Sequence, residues 1–132
     1  MYQNHMINVF LFVMIMALFT AISIPEPGKY YVLAQETVSI APGSSNPSAS
    51  QFFVPPEITV SVGTTVTWTN DDATIHTVTE GSPPGGDAGA TPTFDSSIIA
   101  PTATWENTFD IAGAFNYYCS LHPFMTGKVT VS

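Results

Sequence analysis

The part of this chain after residue 50 predicts an all-β fold, a sandwich of two sheets. Three observations lead there. Apolar and polar residues alternate at period two in several short runs, the pattern of strands with one buried face. Clusters of Gly, Pro, Asn and Asp separate those runs at the spacing of turns. No segment beyond residue 50 carries an apolar period of 3.6.

Residues 1–24 read as a signal peptide or a membrane anchor. Met6 to Ile24 is uncharged and apolar, close to the roughly 20 residues of a membrane span and longer than the roughly 7–15 residue core of a secretory signal. Ala21-Ile22-Ser23 and Val32-Leu33-Ala34 offer small-residue cleavage points. Both readings export the rest of the chain, to the periplasmic or extracellular face of a membrane, and both allow membrane association through residues 6–24. A buried core helix is the third reading. Residues 25–50 read as a flexible tether. Pro25-Glu26-Pro27-Gly28 stops a helix, and Pro42-Gly43-Ser44-Ser45-Asn46-Pro47-Ser48 is rich in turn formers. A first strand fits at 37–41, around Thr37-Val38-Ser39-Ile40.

Residues 51–132 form the domain. Ile58, Val60 and Val62 alternate with Glu57, Thr59 and Ser61, and Gly63-Thr64 turns the chain. Val66 and Trp68 alternate with Thr65, Thr67 and Thr69, and Asn70-Asp71-Asp72 marks the next turn. Thr77-Val78-Thr79 is short and β-prone. Glu80 to Thr93, with four Gly and three Pro, reads as a long surface loop without the features of a phosphate cradle. Trp105, Phe109 and Ile111 share a face, with Asn107 as the polar exception, until Gly113 breaks the run. Phe115, Tyr117 and Cys119 line one face of the next strand, and Val129 and Val131 one face of the last.

Only Lys29 and Lys128 face ten acidic residues, for a net charge of −8. That balance argues against nucleic acid and anionic lipid as partners. It suits a basic or mixed-charge partner with salt-sensitive steering, or plain solubility.

Beyond residue 24 the chain holds one Cys, two His and one Met, and three of the four fall within Cys119-Ser120-Leu121-His122-Pro123-Phe124-Met125. The fourth, His76, lies beside an upstream strand-like run; His5 belongs to the leader. Singly, these residues read as core filler or a hydrogen-bonded histidine. A lone Cys in an exported chain has no internal disulfide partner. Together, a thiolate, two imidazoles and a thioether form the ligand set of a blue-copper electron-transfer site. Such a set suits both oxidation states of copper, so an electron passes with little rearrangement. The alternatives are a copper storage or delivery module without redox cycling, and a zinc site. Multicopper oxidase chemistry needs more His, and a binuclear copper site needs a second Cys. No nucleophilic triad or carboxylate pair stands out; Asp71-Asp72 reads as a turn. The chain reads as an electron carrier rather than an enzyme.

The stretch Phe115-Asn116-Tyr117-Tyr118-Cys119-Ser120-Leu121-His122-Pro123-Phe124-Met125-Thr126-Gly127-Lys128-Val129-Thr130-Val131 resembles the C-terminal signature of the cupredoxins, in particular the plastocyanin and amicyanin group. Its short Cys-x2-His-x2-Met spacing is most like amicyanin. Glu57 to Asn70 resembles the family's Gly-containing hairpin ahead of the first ligand His, and the likeness spans about residues 51–132. The resemblance implies a Greek-key β-sandwich with one type 1 copper ion at one end. It implies His76, Cys119 and His122 as equatorial ligands and Met125 as the weak axial one. It also implies that redox partners dock where the His122 ring edge emerges near Pro123 and Phe124; the plainer reading of Phe124 is that it closes the core. Two positions depart from the pattern. The group commonly has Asn after the first His, where Thr77 keeps the backbone N–H but offers a different side chain to pin the ligand loop. The family often has Pro before the second His; Leu121 retains an N–H that Pro lacks, and that donor is expected to reach the Cys119 sulfur.

Overall fold

The structure is a computed structural model and describes residues 35–83 and 92–132. The leader at 1–24, the chain from 25 to 34 and the middle of the Glu80–Thr93 loop lie outside the described residues. Those described form eight strands and no helix: β1 (Gln35–Ile40), β2 (Phe53–Val54), β3 (Glu57–Val60), β4 (Thr64–Asn70), β5 (Thr79–Glu80), β6 (Thr104–Phe109), β7 (Gly113–Tyr118) and β8 (Thr126–Val131). One sheet has the order β2-β1-β4-β6 and the other β3-β8-β7-β5. The chain crosses between sheets after β2, β3, β4, β5 and β6, which makes a Greek-key sandwich.

The alternating patterns become the two inner faces. Val66 and Trp68 of β4 and Tyr117, Val129 and Val131 of β7 and β8 are all buried. Trp68 is fully enclosed and meets the Tyr117 ring edge-on at 5.5 Å and the Trp105 ring at 5.4 Å. Such aromatic contacts contribute about 0.5–1.5 kcal/mol each beyond simple burial. Burial pushes the Tyr117 hydroxyl up to about 12, and the neighbouring Trp68 N–H only partly offsets it. Neither group has a hydrogen-bond partner of ordinary geometry. Tyr117 also explains Gly127, its cross-strand partner in β8, because a Cβ there would run into the Tyr117 ring.

Two apolar positions assigned to strand faces are exposed instead. Val62 is 51% exposed and Ile111 is 73% exposed. Both lie past the strand ends, on the turns opposite the ligand end. Gly63 adopts φ +88 and donates to Phe109 O at 2.7 Å, so the chain reverses before Val62 can face the core.

The boundary at residue 51 also differs. β1 runs from Gln35 and pairs in parallel with the full length of β4, from Gln35↔Thr65 to Ile40↔Asn70. Residues 41–50 do not behave as a tether. Ser44 is fully buried, Ala41 N donates to Phe52 O at 2.8 Å, and Gly43 N and Ser45 N donate to the Asp72 carboxylate. A Pro/Gly/Ser-rich composition signals turns, and here those turns pack on the ligand end because a buried carboxylate accepts their N–H groups.

Candidate metal centre

His76 follows β4 through a turn that one side chain organises. Asn70 Oδ1 accepts from Asp72 N at 3.0 Å, while its Nδ2 donates to Thr74 O at 2.8 Å and Ile99 O at 3.0 Å. His76 then forms an isolated antiparallel bridge with Ile99, with N–H···O distances of 3.2 and 2.8 Å. The imidazole is fully buried. Its Nε2 stands 2.8 Å from Asp72 Oδ2, and its Nδ1 faces Cys119 Sγ at 3.7 Å.

The other three residues lie on the β7–β8 connection, between the paired residues Tyr118 and Thr126. Cys119 N donates to Met125 O at 3.1 Å, His122 N to Cys119 O at 3.2 Å, and Met125 N to His122 O at 2.9 Å. These bonds fold the loop back on itself, so residues three and six positions after Cys119 return towards it. Cys119 and Met125 are fully buried and His122 is half-buried. His122 Nδ1 lies 3.6 Å from Cys119 Sγ, and the two imidazole centroids are 4.9 Å apart. The donor atoms of His76, Cys119 and His122 all lie within 4.8 Å of one another.

That geometry fits a first-row metal ion. Bonds of about 2.3 Å to sulfur and about 2.0 Å to nitrogen, near 120° apart, place S and N about 3.7 Å from each other. The observed separations are 3.7 and 3.6 Å. Burial pushes the Cys119 thiol up, but His76, Thr77 N–H, His122 and Leu121 N–H together outweigh it and bring the pKa down to about 6. Among these groups the Thr77 N–H donates directly to the sulfur at 3.3 Å, and the Leu121 N–H makes a smaller contribution of the same sign. Burial lowers the His76 pKa, yet Cys119 and Asp72 reverse the sign and raise it. The environment therefore favours a thiolate, the form that binds metal.

Thr77 does what its sequence position leaves open. Its N–H donates to Cys119 Sγ at 3.3 Å, and its Oγ1 accepts from Ser120 N at 2.8 Å and lies 3.0 Å from Ser120 Oγ. A hydroxyl thus ties the His76 segment to the Cys119 loop. Four exposed apolar residues belong to the same segments or their neighbours: Ile75 at 42%, Leu121 at 46%, Phe124 at 39% and Ile98 at 62%. Phe124 packs on His122 with centroids 5.9 Å apart and on Phe52 at 5.4 Å, so it both covers the core and faces solvent. Sequence reasoning missed Asp72, read only as a turn residue. Its position four before His76 was the available signal.

Comparison with known proteins gives similarity to copper-binding proteins. The profile of the copper binding proteins, plastocyanin/azurin family, matches residues 41–132. Amicyanin-alpha of Methylorubrum extorquens is 35% identical over 100 residues, covering 74% of this chain and 81% of that protein. Plastocyanin of a Synechococcus strain is 34% identical over 105 residues, covering 75% and 76%. Among solved structures, the purple cupredoxin of Nitrosopumilus maritimus superposes with a TM-score of 0.65 at 33% identity, covering 74% of this chain and 99% of that one. A reduced amicyanin variant superposes with a TM-score of 0.58 at 33% identity, covering 74% and 82%.

Proposed function

Because the chain belongs to the plastocyanin/azurin family of copper-binding proteins, we propose that it is a type 1 copper electron carrier whose ligands are His76, Cys119, His122 and Met125. The observation that carries this reading is the convergence of two imidazole nitrogens and one buried sulfur within 4.8 Å. Copper held there supplies a one-electron couple and, when oxidised, an intense thiolate-to-metal absorption. The protein's part is to present the donors already assembled. Cys119 is kept as a thiolate by the N–H groups and imidazoles around it. His76 is fixed by the Ile99 bridge and the Asp72 carboxylate. Met125 is buried at the closing end of the loop. Little has to move when the charge changes.

His122 is the less enclosed of the two imidazoles and stands beside Pro123 and exposed Phe124. We read this face, with Leu121 and Ile75, as the place where redox partners dock and electrons enter or leave. A small apolar contact suits a short-lived encounter, and the net charge of −8 favours basic partners, with association that weakens as salt rises. The uncharged run at residues 6–24 supports export, either anchored or released. The carrier reading is preferred to storage or delivery because three of the four donors, His76, Cys119 and Met125, are fully buried, whereas a handing-over site needs ligands a recipient can reach. It is preferred to an enzyme because the described residues commit both imidazoles and the only thiol to one centre.

The test is to add Cu(II) to the purified protein and record its visible and electron spin resonance spectra. An intense blue to purple band with narrow hyperfine splitting, and a reversible one-electron wave, are the expected results. A colourless complex without redox cycling would overturn the carrier in favour of storage.

A further inference from the structure

Asp72 is a carboxylate in an unusual setting for a turn residue. Its side chain is only 5% exposed. Oδ1 accepts from Gly43 N and Ala73 N, both at 2.8 Å, and Oδ2 accepts from Ser45 N at 3.2 Å. Three backbone donors satisfy the anion, and Ser44 Oγ stands 3.5 Å from Oδ2. The remaining contact is the shortest one to a side chain, His76 Nε2 at 2.8 Å. The three backbone donors fix the carboxylate in place, so it is held ready to accept from the imidazole and to orient the ring.

An imidazole between a carboxylate and a metal site has its tautomer decided by the carboxylate. Asp72 can only accept here, so Nε2 carries the proton and the lone pair lies on Nδ1, the nitrogen that faces Cys119 Sγ. A carboxylate on the far nitrogen also makes the ligand more basic. A more basic ligand with a nearby negative charge stabilises the more highly charged metal state.

Resting on the copper reading above, we propose that Asp72 is a positioning residue that locks His76 as its Nε2–H tautomer and holds the reduction potential of the centre down. Through Gly43 and Ser45 it also couples the segment after β1 to the metal. Its effect is opposite in sign to that of the Leu121 and Thr77 N–H groups, which stabilise negative charge on sulfur and so favour the reduced state. The potential is therefore a balance struck between the two imidazole–thiolate edges of the site.

The experiment uses the full-length copper protein and its Asp72→Asn variant, which keeps the shape and removes the charge. The variant is expected to shift the Cu(II)/Cu(I) balance about tenfold toward the reduced form, which is roughly +59 mV for a one-electron couple. A purely structural role would lower thermal stability and leave the potential where it was, and that result overturns the proposal. Nitrogen-15 NMR of the diamagnetic reduced parent gives a second readout that does not depend on the variant folding. A slowly exchanging proton on His76 Nε2 is expected; a proton on Nδ1, or none protected at Nε2, overturns it. A parent that binds copper without the intense thiolate band overturns the copper reading itself, and this inference with it. A parent with that band and a variant with an unchanged potential sinks Asp72's role alone.

Discussion

The two sides of the metal centre are built in opposite ways. His76 sits at the end of a chain of constraints: the Asn70 turn, the Ile99 bridge and the Asp72 carboxylate hold its backbone and its ring, and none of it is exposed. The Cys119–Met125 side is a seven-residue loop held by three backbone bonds of its own, with Leu121 and Phe124 open to solvent. One side holds its imidazole fully enclosed; the other leaves apolar side chains open to solvent, the face proposed above for partner docking. The difference teaches that rigidity and access are assigned to separate segments, joined mainly by Cys119 and the Thr77 hydroxyl.

Substitutions can break that division, and their effects grade from the joint outward. Cys119→Ser removes the only thiolate both sides share, and the visible charge-transfer band is expected to vanish with reversible redox cycling; a variant of unchanged colour would sink the site. Gly127→Ala drives a Cβ into Tyr117 beneath the loop, at an expected loss of about 1–3 kcal/mol in chemical denaturation. Thr77→Val leaves Ser120 N without its acceptor and cuts the tie between the sides, at about 1–2 kcal/mol. Broader electron spin resonance lines should accompany it if the hydroxyl keeps the loop in one geometry. Phe124→Ser alters only the open side: the rate of electron exchange with a basic partner should fall about tenfold, equivalent to ~1.4 kcal/mol, at constant potential. Leu121→Pro is the smallest change, deleting one N–H near the sulfur. The measured potential should drop, and no change or a rise would show that this donor does not act on Cys119.

The open side was the more legible of the two in the sequence. Cys119, His122 and Met125 lie within one short segment, and their spacing alone suggests a shared centre. Period-two patterns also located β3, β4, β6, β7 and β8, because each buries one face against the opposite sheet. The rigid side was harder to see. His76 stood out only because so few histidines exist in the chain. Asp72 looked like any Asp in an Asn-Asp-Asp turn, since nothing local distinguishes a carboxylate that will accept from residues 43 and 45, nearly thirty positions upstream. The Gly43–Ser48 composition spelled turns without saying what they would pack against. β1 was legible as a strand at 37–41, but its pairing was hidden for a related reason: its partner, β4, is parallel and distant in sequence, so no hairpin signal joins them. Val62 and Ile111 continued the alternation one step beyond the strands, where a turn and not hydrophobicity decided their exposure.

The register of the last hairpin carries a practical consequence. Tyr118 and Thr126 are already paired before the segment between them begins, and pairing continues without interruption to Gly113 and Val131. The intervening residues form a cassette that leaves and rejoins the hairpin in fixed register and meets the scaffold beneath through Cys119, Ser120 and Met125. Longer or shorter cassettes could be grafted between those two anchors to retune colour and driving force, while the framework that folds the protein is inherited unchanged.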